Sequence, residues 1–236
     1  MQGSAHSPEW QSIDTVLLDM DGTLLDLGVD HHFWGELLPR RFAESRGISV
    51  DEAHRLIRPI SKSTEGTLDW YCVDYWSRVL SLDIVTLKRS MRHQIDWLPE
   101  ARAFLAQVRA TGRRLVLVTN AHPEIFAIKD AHLGIRSRFD AVYTSHEFGE
   151  PKESVAFWPR LAARESFDPS RTLFADDSPA VLRAAGAHGI RWLYAVRRPV
   201  QRAPMRAPIE FPGIESVQDL ATGLAPPVAR SQADGA

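Results

Sequence analysis

Four short apolar runs, each stopping abruptly at a polar or acidic residue, set the strongest limit on how this chain can fold. They are Thr15-Val16-Leu17-Leu18-Asp19, Leu115-Val116-Leu117-Val118-Thr119, Ala141-Val142-Tyr143-Thr144 and Thr172-Leu173-Phe174-Ala175-Asp176, and a fifth covers residues 190–196 after Gly189. Their β-branched and aromatic content suits buried strands. Helical patterns lie between them. One enters at Pro99 and leaves at Gly112, and others begin near Pro123, Glu153 and Ser178, the first of these ending at Gly134. Pro at a helix entry and Gly at its exit are the expected punctuation. Strand and helix alternating in this way predict an α/β fold: a Rossmann-like, three-layer core with a parallel sheet covered on both faces.

Residues 28–97 break that rhythm, because they hold no convincing strand and read as consecutive helices. The first, over 31–45, is expected to kink or break at Pro39. Ser49-Val50-Asp51-Glu52 offers a capping box, and further helices are expected over 67–80 and 83–93. Four of the seven Trp (Trp34, Trp70, Trp76, Trp97) fall in this stretch, which marks it off from the rest of the chain. The predicted organisation is core over 1–27, an inserted all-helical cap over 28–97, and core again over 98–198. Six of the fifteen Pro lie in residues 199–236, so that stretch is expected to be a largely irregular tail outside the compact unit, with one short helix near Ser216 to Leu220.

Composition excludes several classes. The formal net charge is -2, which leaves no electrostatic footprint for nucleic acid or an anionic membrane. The single Cys72 excludes a disulfide framework, and the nine His show no ligand-like spacing that would argue for zinc. The first ten residues lack the basic-then-apolar order of a signal peptide, and no apolar run approaches the roughly 20 residues needed to cross a bilayer. A cytoplasmic enzyme acting on a small molecule, with no protein partner implied, is the expectation.

In an open parallel sheet, ligands bind beyond the carboxyl ends of the strands. The polar clusters all fall there: Asp19-Met20-Asp21-Gly22-Thr23, Thr119-Asn120, Lys152, and Asp176-Asp177-Ser178. Carboxylates converging on one rim repel each other unless a cation sits among them, and an all-oxygen set suits Mg²⁺. A carboxylate nucleophile, a second acid two residues on, a hydroxyl and a lysine make a kit for phosphoryl transfer. Asp19 would attack phosphorus, and Asp21 would serve as acid and then base. Gly22 would let the backbone turn tightly and aim amides at phosphate. Thr119 and Lys152 would hold its oxygens. Taken singly, each residue has a plainer reading, as a turn, a helix cap or a solvated charge. Their order reverses that.

DMDGTLLD, LVLVTN, GEPKE and TLFADDS, in this order, resemble the four motifs of the haloacid-dehalogenase-like hydrolases. The resemblance implies Asp19 as nucleophile and Asp21 as general acid/base. It also implies Mg²⁺ held by the Asp19 carboxylate, the Asp21 carbonyl and a motif-four acid. Asp177 aligns as the direct ligand, and Asp176 as a second ligand or the holder of a metal-bound water. WYCVDYWS (Trp70 to Ser77), TNAHP and RTLFADDS are similar to the bacterial GMP/IMP 5′-nucleotidase branch, over about residues 10–198. The implied substrate is a purine nucleoside 5′-monophosphate.

The cap leaves choices open. Leu68, Cys72, Tyr75 or Trp76, and Val79 form one apolar stripe at helical spacing, which reads as cap core. Alternatively Trp70, Tyr71 or Tyr75 faces the cleft and stacks on a purine, with Trp70 and Tyr75 taken as substrate-binding together with Gly22, Thr119, Asn120 and Lys152. His122 either caps the next helix or orients phosphate, and His31 and His32 lie near the cap boundary. A sugar-phosphate phosphatase or phosphomutase would use the same core; a mutase would also need a cap that holds a second phosphate, for which Arg40, Arg41, Arg55 and Arg58 are candidates. Phosphonate cleavage would want a cap lysine, Lys62 or Lys88. Dehalogenation is disfavoured by Asp21, and a catalytically silent nucleotide-binding fold by the intact motif set.

Overall fold

The computed structural model describes residues 7–225. Among them β1 (Thr15–Leu18), β2 (Arg114–Thr119), β3 (Ala141–Thr144), β4 (Thr172–Asp176), β5 (Trp192–Val196) and β6 (Gly213–Ile214) form one sheet. The order is β3-β2-β1-β4-β5-β6 and every pairing is parallel. The five strands expected from the sequence are present, within two residues at their ends.

Between β1 and β2 the chain runs through α1 (Gly28–His32), α2 (Leu38–Arg46), α3 (Val50–Thr64), α4 (Leu68–Tyr71), α5 (Val73–Leu80) and α6 (Ile84–Ser90). Pro39 does not break the first of these. Phe33–Leu37 wind as a wider π-turn that leads straight into α2, with Pro39 in its first turn, where a missing N–H is tolerated. Ser49 accepts the Glu52 N–H at 3.2 Å, one arm of the expected capping box, and Asp83 accepts the Thr86 N–H at 2.9 Å. The helix expected over 67–80 is interrupted at Cys72, whose backbone is extended (φ -86°, ψ 108°). That break shifts the helical phase. Val73, Trp76 and Leu80 turn inward, so of the expected stripe through Leu68, Cys72, Tyr75 or Trp76, and Val79 it is the Trp76 alternative that is buried.

The two chain crossings that flank this helical stretch lie side by side. Leu25 bridges Trp97, the Leu98 N–H reaches the Leu24 carbonyl at 2.8 Å, and the Asp26 N–H reaches that of Asp96 at 3.0 Å. The core then adds α7 (Ala101–Ala110), α8 (Pro123–Leu133), α9 (Phe157–Glu165) and α10 (Pro179–Ala187). Because side chains alternate along a strand, Val16 and Leu18 of β1 pack with α7, α8 and the insertion's apolar residues, while Leu17 packs with α9 and α10. Both faces are covered, as buried parallel strands require.

The expected loose tail is corrected by the structure. β6 extends the sheet beside β5, and a short 3₁₀ turn at Val217–Ala221, capped by Ser216, follows it. Ile214, Val217 and Leu220 are buried. The Trp10 indole donates to the Leu220 carbonyl at 2.9 Å. The buried Arg113 guanidinium ties the two ends together, donating to the carbonyls of Trp10 and Ala225, both at 2.6 Å. A two-residue strand and three apolar anchors are too little for composition to register. Residues 226–236 of the expected tail, and the first six of the chain, lie outside the described residues.

Candidate active site

Strand order reverses between β1 and β4, so their carboxyl ends flank the crevice where a sheet of this kind binds ligands. Asp19 follows β1, continuing its ladder through an N–H bond to the Ala175 carbonyl at 3.0 Å, and Asp176 ends β4. Between them lies the buried Lys152. Its ammonium donates to Asp19 Oδ1 at 2.5 Å, Asp176 Oδ2 at 2.7 Å and the Val118 carbonyl at 3.1 Å. One acid oxygen from each of Asp19, Asp176 and Asp177 lies within 4.8 Å of the others. Burial, reinforced by Asp176 and resisted by Lys152, pushes the Asp19 carboxyl up to about 7. Burial with its acidic neighbours raises Asp176 and Asp177 to about 6 each. These carboxylates hold more negative charge than their partners neutralise, a donor set that fits a hard divalent cation. Gly22 keeps the cradle open. Its φ is +83°, and a Cβ there would stand 2.8 Å from the Asp177 Cγ.

Thr119, at the end of β2, is buried, and its hydroxyl accepts the Ala121 N–H at 3.0 Å. Asn120 lines the cleft, but both ends of its amide are engaged by the protein. Its oxygen accepts the Lys152 N–H and its nitrogen donates to Glu153 Oε2, both at 2.9 Å. These two bonds tie Asn120 to the lysine loop.

Asp21 faces a different set of partners, which the sequence did not reveal. Lys129 on α8 donates to Asp21 Oδ1 at 2.6 Å and to Asp30 Oδ2 at 3.0 Å. Asp30, on α1, also takes the ammonium of Lys88 from α6, which sits 4.1 Å above the Phe33 ring. Burial raises the Asp21 carboxyl against the pull of Lys129. Burial acts the same way on Asp30, but Lys129 and Lys88 together hold it well below the usual carboxylate range. Lys129 lies one helical turn beyond Ile125 inside an otherwise apolar face, and that is the one signal that could have singled it out.

These groups open onto a cleft of about 440 Å³ between the sheet rim and the insertion, within the range of small-molecule sites. Its aromatic wall is Trp34, Trp70, Tyr71 and Trp76. Trp70 thus lines the cleft, one of the two placements the sequence left open. Tyr75 does not line the cleft; the shifted phase of α5 turns it edge-on against Trp76, with the Arg78 guanidinium 5.7 Å above its ring. His31 lines the cleft and His32 does not; it faces Glu36 at 3.3 Å. Arg40, Arg41, Arg55, Arg58 and Lys62 are absent from the lining, and Lys88 is present but ion-paired. His122 caps α8, its Nδ1 accepting the Glu124 N–H at 3.3 Å. Cys72, His122 and His146 converge within 4.8 Å. In that group the His122 Nδ1 is engaged by the Glu124 N–H, and its Nε2 faces Asp74 at 3.6 Å. Arg206, from the stretch expected to be a tail, reaches Asp177 Oδ2 at 2.9 Å.

A family model described as haloacid dehalogenase-like hydrolase matches residues 13–189, the segment that carries all of these strand ends. The chain belongs to the haloacid dehalogenase-like hydrolase family. Within that family it is 41% identical over 190 residues to the GMP/IMP nucleotidase YrfG of Escherichia coli (strain K12), across 80% of this chain and 86% of the relative. The protein of that name from Shigella flexneri matches equally. Among solved structures, a HAD phosphatase from Thermococcus onnurineus aligns with a TM-score of 0.76 at 21% identity, covering 91% of this chain and 99% of that one. The L-2-haloacid dehalogenase from Xanthobacter autotrophicus aligns at 0.58 and 19% identity, covering 90% and 100%. At such identities the likeness is one of fold. A fold shared by a phosphatase and a dehalogenase leaves the reaction to be argued from the site.

Proposed function

We propose that this protein is a Mg²⁺-dependent phosphatase of purine nucleoside 5′-monophosphates, IMP and GMP first, working through an aspartyl-phosphate on Asp19. The observation that carries the reading is the juxtaposition of Asp19, Lys152, Asp176 and Asp177 at the floor of an aromatic-walled cleft, with Asp21 at its edge. The purine preference rests on the 41% identity to the named GMP/IMP nucleotidase. The helical insertion acts as the cap over the core.

Asp19 attacks phosphorus, the bond from phosphorus to the ester oxygen breaks, and Asp21 gives that oxygen its proton. Asp21 then takes a proton from the water that attacks phosphorus, the bond to Asp19 breaks, and phosphate and free carboxylate are restored. Lys152 holds a non-reacting phosphoryl oxygen and keeps Asp19 aligned. The Thr119 hydroxyl, an acceptor toward Ala121, has its own proton to give a second oxygen. Asp19, the Asp21 carbonyl and Asp177 would hold Mg²⁺, with Asp176 beside them. Bound there, the cation supplies charge neutralisation between an anionic nucleophile and an anionic phosphoryl group. The apolar wall with Trp70 gives a purine a face to stack on. None of the arginines that a phosphomutase cap would need lines the cleft, which favours hydrolysis over the mutase reading.

The test is a panel of IMP, GMP, AMP and several sugar phosphates, each with Mg²⁺ and with EDTA. Phosphate release from IMP and GMP that disappears with EDTA is the expected result. Preference for a sugar phosphate would overturn the substrate assignment, and metal-independent release would overturn the mechanism.

A further inference from the structure

The string WYCVDYWS gives Trp70 to the cleft wall but no residue to the proposed phosphoryl transfer. A further contact is made by Tyr71. This residue ends α4, and the extended backbone at Cys72 stops the helix there. Its phenol donates to Glu153 Oε1, across the cleft from insertion to core. Glu153 directly follows Lys152 in the chain. Its second oxygen, Oε2, accepts from Asn120 Nδ2 at 2.9 Å, and Asn120 Oδ1 in turn accepts the main-chain N–H of Lys152 at 2.9 Å. The Lys152 carbonyl accepts the Trp158 indole N–H at 2.9 Å. The peptide that carries the phosphate-gripping ammonium is thus fixed from the core by Asn120 and Trp158, and through Glu153 from the insertion.

We propose that Tyr71 is a positioning residue, through which the helical insertion sets the Lys152 segment and so tunes the grip of the phosphate site. The inference deepens the proposed function and rests on it for the role of Lys152. Two consequences of the contact support it. The hydrogen bond is charge-assisted, and bonds of that class are the strong ones. It also occupies an oxygen of Glu153, a carboxylate that would repel a phosphate dianion if it swung toward the cleft. Burial, and then Glu153, raise the phenol above its ordinary range, so it remains a donor throughout the working pH range.

Tyr71 also lines the cleft, and the experiment separates bracing from contact with the base. In Tyr71→Phe the ring stays and the hydroxyl goes. If Tyr71 braces Lys152, kcat/KM falls about tenfold for IMP and for p-nitrophenyl phosphate alike. Inorganic phosphate, titrated calorimetrically with Mg²⁺ present, binds several-fold more weakly, with the melting temperature as a control on folding. Glu153→Gln added to Tyr71→Phe should cost no more than the worse single variant, since both act through one contact. A loss confined to IMP, or additive losses in the double variant, would overturn the proposal, as would unchanged phosphate binding. The phosphate titration needs no turnover and no purine, so failure of the nucleotidase reading alone leaves it decisive.

Discussion

Two buried lysines line the cleft, and each bridges two aspartates. Lys152 joins Asp19 to Asp176, and Lys129 joins Asp21 to Asp30. The resemblance ends at the charge balance. Around Lys152 three carboxylates (Asp19, Asp176, Asp177) meet two cations, Lys152 and the half-exposed Arg206. Around Lys129 two carboxylates meet two cations, since Lys88 completes the set. The first group is one positive charge short, which fits the cation proposed to bind there. The second is neutral as it stands, and it spans core and insertion. That difference supports separate roles for the proposed nucleophile and the proposed acid.

The largest effect is expected from breaking the floor. Lys152→Met should lower kcat/KM for every phosphate ester by about a thousandfold or more, because it removes both a phosphate contact and the orientation of Asp19. Near-normal turnover would remove Lys152 from the proposed mechanism. Breaking the edge should be milder and selective. Lys129→Met frees the Asp21 carboxylate, so kcat/KM for IMP should fall about 10- to 100-fold. That for p-nitrophenyl phosphate, whose leaving group needs no proton, should fall much less. Equal losses would mean that Lys129 serves the fold.

The charge imbalance also has a pH signature. Asp19 at about 7, and Asp176 and Asp177 at about 6, lie above the ordinary carboxylate value of 3.8. The metal-free folded protein therefore keeps protons that the unfolded chain releases. These groups cost stability progressively as the pH rises from about 4 to about 7. A cation that binds the ionised forms reverses that cost, so Mg²⁺ should raise the melting temperature more at about pH 8 than at about pH 5. An equal shift at both would contradict the imbalance. On the aromatic wall, Trp70→Ala should raise KM for IMP by up to about tenfold, whereas Tyr75→Ala, outside the cleft, should leave it unchanged. The smallest effect is expected from Arg206→Ala. Its exposed pair with Asp177 should change the Mg²⁺ affinity by no more than about threefold.

The floor was legible in the sequence and the edge was not, for a physical reason. Asp19, Thr119, Lys152 and Asp176 sit at or near the ends of strands that share one sheet, so finding the strands is enough to bring them together. Lys129, Asp30 and Lys88 lie within helices, and their meeting depends on how the insertion seats against the core. No local pattern encodes that. Tyr75 was misplaced for a related reason. A single extended residue, Cys72, rotates everything after it, and periodicity read across the break points to the wrong face. The sixth strand escaped because two residues and three apolar anchors leave little trace in a proline-rich stretch.

The central claim is that Asp19 carries the phosphoryl group during turnover. It is tested most directly by mixing the protein and Mg²⁺ with IMP radiolabelled in the phosphate, quenching in acid within the first turnover, and mapping the labelled peptide. The expected result is label on Asp19 that is lost with EDTA and in Asp19→Asn. Phosphate release with no labelled protein, or label on another residue, would contradict it.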